Sequence, residues 1–251
     1  MMKTRTFSII IMALILIPFL VIGGLPFKMI SILVSLLALK EYVEVKKNIP
    51  NLVKYFSIFV LSIILLIMPN SIKTVIYILL TFLVLVVSYN NSKIYGVNDA
   101  FYLVGGLLIL YFGFNCIIEL RNTNYKILVY LLLITIMTDT FAYIVGVFLG
   151  KHKLIPEISP KKTIEGLLGG LIFGSIIPII YYINTFNDIN IMLIVRTIIL
   201  SLTSQFGDLV FSSIKRNYHI KDFSSLIPGH GGVLDRIDGL LFVMLGYLMF
   251  I

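Results

Sequence analysis

The chain has no tryptophan, one cysteine and little charge, with Asp, Glu, Lys and Arg making up 13% of its 251 residues. A soluble domain of ordinary composition carries about 25% charged residues. The lone cysteine, Cys116, cannot form an internal disulfide or a thiolate metal cage. It falls inside an apolar block and reads as a small buried residue. No G-x-x-x-x-G-K-S/T phosphate loop and no H-E-x-x-H pair occurs, which removes Walker-type nucleotidases and zincin-type hydrolases. An internal repeat, a low-complexity tract and a separate soluble domain are also absent, so one domain over 1–251 is the simplest organisation.

What is present is apolar. Hydrophobic residues make up 59% of the chain and the mean hydropathy is +1.04, the composition of an integral membrane protein. The apolar residues come in blocks of about 17–25, long enough for helices to cross a hydrocarbon core of roughly 30 Å. Nine blocks are expected to be membrane helices, near residues 7–24, 27–41, 52–69, 72–89, 99–119, 126–149, 164–183, 190–211 and 233–251. The fold class is therefore all-α and polytopic. The second block is the weakest pattern, opened by Pro26 and Lys28 and closed by Lys40, Glu41 and Glu44. Lys3 and Arg5 before the first block fit a signal peptide, but the long apolar run leads through Gly-Gly-Leu-Pro into another block, so it reads as a membrane anchor.

Charge sets the orientation. With a cytoplasmic N-terminus, fourteen lysines and arginines fall in loops on that side and four, Lys28, Lys73, Arg121 and Lys126, on the other. That bias follows the positive-inside rule and accounts for the net charge of +8 without a nucleic-acid partner. A multi-pass protein of the plasma (inner) membrane is expected.

Residues 1–125 read as scaffold: their scattered Ser, Thr, Gly and Tyr suit helix packing and interfacial anchoring, and Asp99 and Glu119 sit near block ends. Residues 126–251 carry the chemistry. Asp139 falls mid-block in LLLITIMTDTFAYIVGVFLG, where a carboxylate costs at least about 2.5–3.5 kcal/mol unless it faces protein or water. The next loop brings together Ser159, Lys161, Lys162, Thr163 and Glu165 at a helix start, where hydroxyls, ammonium groups and backbone N–H donors suit a phosphate. Gly166, Gly169, Gly170 and Gly174 then allow close backbone approach. In the eighth block Ser204, Gln205 and Asp208 can present oxygens from one helix side, either to Mg²⁺ or to neighbouring helices. Beyond them come Lys215, Arg216, Lys221, Asp222, His230, Asp235, Arg236 and Asp238. Asp235 and Asp238, three residues apart, share a helix face, and Gly231 and Gly232 let backbone approach a ligand. Carboxylates with lysines and arginine suggest Mg²⁺, with one or two cations, and phosphoryl or nucleotidyl transfer.

The run Ser212-Ser213-Ile214-Lys215-Arg216, then Lys221-Asp222-Phe223-Ser224, then Ile227-Pro228-Gly229-His230-Gly231-Gly232-Val233-Leu234-Asp235-Arg236-Ile237-Asp238 resembles the signature of phosphatidate cytidylyltransferases, the CDP-diacylglycerol synthases. Asp139-Thr140-Phe141-Ala142-Tyr143 and Ile158 through Gly166 resemble further family segments, and the helical layout resembles the family over the whole chain. The resemblance implies transfer of CMP from CTP to phosphatidate, giving CDP-diacylglycerol and pyrophosphate on the cytoplasmic face. It points to Asp208, Asp222, Asp235 and Asp238 around a metal-dependent site and to Lys162, Lys215, Arg216 and Lys221 around phosphates. It also suggests a homodimer. His230 is expected to bind or orient rather than act as an essential base, because phosphatidate is already an anionic nucleophile. Gly239 departs from the family pattern, in which a serine commonly follows the last aspartate. Two other functions stay open on the residues alone: a CTP-dependent polyprenol or phytol kinase, and an ion-coupled transporter built around Asp139 and Asp208.

Overall fold

The computed structural model describes residues 14–67, 75, 78, 79, 81, 95–229 and 231–251. Residues 14–22 are helical. The helices that follow are α1 (Gly24–Glu44), α2 (Asn51–Ile67), α3 (Val97–Thr123), α4 (Tyr125–Phe148), α5 (Ile164–Phe186), α6 (Ile191–Asn217) and α7 (Leu234–Tyr247), with one turn of 3₁₀-helix at Leu248–Phe250. Four of them, α3 to α6, are long and apolar enough to cross a membrane. The protein is thus an all-α membrane protein. The expected span at 72–89 lies almost wholly outside the described residues, as does the start of the one at 7–24.

Between α4 and α5 the sequence suggested only a loop. Two short strands form there instead, β1 (Lys153–Ile155) and β2 (Ser159–Thr163), paired antiparallel with Lys153 opposite Thr163 and Ile155 opposite Ser159. Pro160 is tolerated because a two-stranded ribbon has only edges, and an edge position need not donate.

The chain divides into two compact units, residues 1–119 with 222–236, and residues 120–221 with 237–251. In the first, α1 meets α3 through Tyr42 and Tyr102, whose rings stack at 4.3 Å and 7°. Each hydroxyl donates to the other residue's carbonyl, at 3.1 and 2.8 Å. Gly106 makes this approach possible, since a Cβ there would lie 2.3 Å from the Tyr42 ring. Lys46, just past α1, forms an ion pair with Asp99 in the first turn of α3, which gives that acid a specific partner. Cys116 is buried and unpaired with any other cysteine.

In the second unit α4 packs most extensively on α5. The glycines of α5 form the seam: a Cβ at Gly166 would meet the Ala142 carbonyl at 2.7 Å, one at Gly170 the Thr138 carbonyl at 2.9 Å, and one at Gly174 the Thr138 Cα at 2.7 Å. Spaced four residues apart, these three lie on one helix face. Helix α6 joins the pair through hydroxyls, Tyr130 to Thr197 at 2.7 Å and Thr138 to Ser201 at 2.8 Å. Such bonds between apolar helices satisfy groups that lipid cannot.

Candidate active site

The candidate residues fall into two groups, one within each unit. In residues 120–221 with 237–251, the hairpin carries the first. Thr163 caps α5, its Oγ1 accepting from the Gly166 N–H at 3.1 Å, so this hydroxyl serves the helix start. Glu165, in the first turn of α5, accepts from the backbone N–H of Lys151 (3.1 Å) and His152 (3.2 Å) and contacts His152 Nδ1 at 2.6 Å. It therefore holds the base of the hairpin against α5. Lys161 projects from β2 into solvent, and Ser159 and Lys162 are half-buried.

Lys162 Nζ lies 2.6 Å from Asp208 Oδ2, with the two side chains 27% and 35% exposed. This pair ties the hairpin to the middle of α6. The Ser212 hydroxyl donates to Asp208 Oδ1 at 3.4 Å, one turn along. Ser204, Asp208, Ser212 and Lys215 follow the four-and-three spacing that keeps residues on one helix side. Asp238 is half-buried and within electrostatic reach of Asp208, Lys215 and Asp139. Two lysines and three carboxylates thus share one neighbourhood. Asp139, which composition could not explain, belongs to it.

Other members of this group have partners of their own. Gln205 donates through Nε2 to the Leu167 carbonyl at 3.2 Å, bridging α6 to α5. Arg216 donates through Nε to Ile158 O (3.1 Å) and through Nη1 to Ile220 O (2.8 Å). The guanidinium fork secures the hairpin turn and the end of α6 with two of its five N–H donors. Ser204 is fully buried, and among the described residues its Oγ has no hydrogen-bond partner. A Cβ on Gly239 would lie 2.9 Å from that oxygen. The hydroxyl absent at position 239 therefore has an unpaired hydroxyl beside it on α6.

The second group lies in the segment 222–236. Ile227 and Gly231 exchange backbone hydrogen bonds (2.9 and 3.2 Å), closing a tight loop over Pro228 and Gly229; His230 lies outside the described residues. Gly231 has φ 91°, a conformation only glycine adopts readily. A Cβ there would also sit 2.9 Å from Asp235 Oδ2 and 3.3 Å from the Asp222 carboxyl carbon, so Asp222 and Asp235 flank it. Asp235 is buried, and its Oδ2 accepts from the N–H of Phe223 and of Gly232, both at 2.9 Å. One oxygen of this acid therefore shapes the loop. Asp222, Lys221 and Arg236 are exposed.

Sequence reasoning missed Glu41. Read as a charge closing the second apolar block, it is 4% exposed and touches the motif. Its Oε1 accepts from Ser224 Oγ (2.6 Å) and Val233 N (2.9 Å), and its Oε2 from Leu234 N (2.8 Å). The signal in the sequence was a second acid, three residues before Glu44, at the charged end of a largely apolar helix.

Among the described residues no three His, Cys, Asp or Glu side chains form a ready metal cage. The chemistry of Asp208 and Asp238, hard oxygen donors near one another, nevertheless suits a cation that takes few protein ligands and completes its shell with water and phosphate.

Over residues 3–251 the chain matches the Cytidylyltransferase family. It belongs to that family. Three of its relatives named phosphatidate cytidylyltransferase come from Staphylococcus saprophyticus, Staphylococcus haemolyticus and Staphylococcus aureus. They are 36%, 37% and 36% identical to it, each match covering 97% of this chain and 96% of the relative. As a cytidylyltransferase-family chain, it carries the family pattern through both halves, so the N-terminal helices belong to the matched region as much as the motif-bearing ones do.

Proposed function

We propose that this chain transfers CMP from CTP to phosphatidate, releasing pyrophosphate and leaving CDP-diacylglycerol in the membrane. Membership of the cytidylyltransferase family along nearly the whole chain carries this reading, and the lysine–carboxylate cluster around Asp208 gives it chemistry. A phosphate oxygen of phosphatidate attacks the α-phosphorus of CTP. The new P–O bond forms as the bond to the bridging oxygen breaks, and that oxygen leaves with pyrophosphate. Because the nucleophile is already an anion, no strong base is required, and His230 is assigned to binding or orientation.

Both substrates are anionic, so the main task is to suppress their repulsion and hold them in line. Lys162, presented by β2, and Lys215, on α6, face the phosphates; Lys161 and Lys221 add positive charge from exposed positions, and Arg216 stabilises the hairpin beside them. Asp208 orients Lys162 through the 2.6 Å contact. Asp208 and Asp238 would hold Mg²⁺; Asp222 and Asp235 are the further acids to which the family resemblance points. Bound there, the ion would neutralise charge on the phosphates and favour departure of pyrophosphate. Ser204 stands in for the hydroxyl that Gly239 lacks.

The site faces the cytoplasm of the plasma membrane, with nine spans and a cytoplasmic N-terminus. The asymmetric distribution of lysine and arginine supports this orientation, and labelling of single cysteines placed at Lys153 and Asn124 from either side of sealed vesicles tests it. The family resemblance supports a homodimer, tested by light scattering in detergent. CTP labelled at the α-phosphorus tests the reaction. Label must enter the lipid as pyrophosphate is released; transfer of the γ-phosphate to a lipid alcohol, with label only in CDP, would make the chain a kinase instead.

A further inference from the structure

We infer that Glu41 is a positioning residue for cytidylyl transfer, the group on the N-terminal helices that fixes the motif loop at the start of α7. The inference rests on the proposed function. Glu41 lies about 190 residues from the motif in sequence, and its carboxylate takes three donors from it: the Ser224 hydroxyl and the N–H groups of Val233 and Leu234. Asp235 takes two more, from Phe223 and Gly232. Four backbone N–H groups at the two ends of one loop are thus held by two buried carboxylates. Removing either acid would leave buried donors without an acceptor.

The glycine pair has a second explanation in this geometry. A Cβ on Gly232 would lie 2.4 Å from Glu41 Oε2 and 2.7 Å from its carboxyl carbon. Position 232 is therefore glycine to admit Glu41, not only to admit a ligand. Glu41 does not act on the reacting phosphates. It sets where α7 begins and, through the shared loop, how Asp235 is turned: with Oδ2 held by the loop, the direction of Oδ1 follows from the loop's conformation.

A carboxylate accepts at both oxygens, whereas a carboxamide presents an NH₂ to one set of these donors. Glu41→Gln keeps the shape and destroys the match. In detergent-solubilised full-length protein, Glu41→Gln is expected to lower kcat at least tenfold, with KM for CTP changed less than threefold and the Mg²⁺ activation curve moved to higher concentration. Amide hydrogen exchange in the substrate-free protein should quicken in peptides covering 222–236 and stay unchanged in α4 and α5. Ser224→Ala, which removes one of the three bonds and leaves the backbone intact, should lower kcat two- to fivefold and keeps the question answerable if Glu41→Gln does not fold.

Gly232→Ala supplies the coupling test. Alone it should be nearly inactive, and in a Glu41→Ala background it should cost little more than Glu41→Ala itself, because the obstructing carboxylate is gone. Additive losses from Gly232→Ala and Glu41→Ala, or unaltered kcat and Mg²⁺ response in both Glu41→Gln and Ser224→Ala, would overturn the inference. A wild-type enzyme that makes no CDP-lipid would refute the proposed function; full activity in the variants with an active wild type would refute only the role of Glu41.

Discussion

Replacing Lys162 by alanine separates what the Lys162–Asp208 pair does for folding from what it does for catalysis. The two side chains are 27% and 35% exposed, so their attraction is screened, and the stability lost on breaking the pair should not exceed about 1 kcal/mol. For a chain of this size that is a shift of roughly 2–4 °C in Tm. The same ammonium contacting a phosphate oxygen makes a charge-assisted hydrogen bond worth about 1.5–3 kcal/mol, or a 10- to 150-fold loss in kcat/KM. The loss should appear mainly in KM, because the contact exists before and after the chemical step. Steady-state assays with CTP and phosphatidate varied in turn, alongside thermal unfolding in the same detergent, measure both. Lys162→Arg should recover part of the loss by restoring charge without the same reach. A Lys162→Ala enzyme with unaltered KM and kcat, or one whose activity falls only in proportion to the folded fraction, would refute the assignment.

Asp208→Asn, Asp235→Asn and Asp238→Asn should each lose at least a hundredfold in kcat while keeping helical content by circular dichroism, and wild-type activity should vanish with a chelator and return with Mg²⁺; an unchanged Mg²⁺ dependence in any of these variants removes that residue from metal binding. Gly174→Ala should destabilise by about 1–3 kcal/mol, since the added methyl meets the Thr138 Cα at 2.7 Å and backbone must shift, and a melting temperature equal to wild type would count against the α4–α5 seam. Gly239→Ser should be accommodated by rotation of Ser204 and supply its unpaired hydroxyl with a partner, giving equal or better CTP affinity; a large loss of activity would show that the space beside Ser204 is needed empty.

The helices were legible because hydropathy alone marks them. The apolar blocks expected at 99–119, 126–149, 164–183 and 190–211 correspond to α3, α4, α5 and α6, with ends that differ by six residues or fewer; the largest extension, 212–217 at the end of α6, is mostly polar or charged and includes Lys215. The glycine seam was legible too, because spacing of four residues fixes a helix face before any partner is known. The β1–β2 hairpin was not. Its strands have three and five residues, carry Lys153, Lys161 and Lys162, and lack the alternation that announces a strand; pairing of Lys153 with Thr163 and the grip of Glu165 on its base are tertiary facts. Single residues divide in the same way. Asp208 and Lys162 stood out in the sequence as candidate site residues, but their contact joins segments 46 positions apart. Glu41 resembled any charge at the end of a span, and only the folded chain brings it to Val233 and Leu234. Arg216 and Glu165, read as phosphate-binding candidates, also proved to hold the hairpin, a use that composition cannot distinguish from ligand binding.

In the proposed reaction CMP moves from CTP to a phosphatidate phosphate. Purified protein given phosphatidate, Mg²⁺ and CTP labelled at the α-phosphorus tests it most directly, with mass analysis of the extracted lipid. A labelled lipid heavier than phosphatidate by the CMP moiety, formed one for one with pyrophosphate, is expected. Unlabelled lipid, with all label remaining in soluble CDP or CTP, would contradict it.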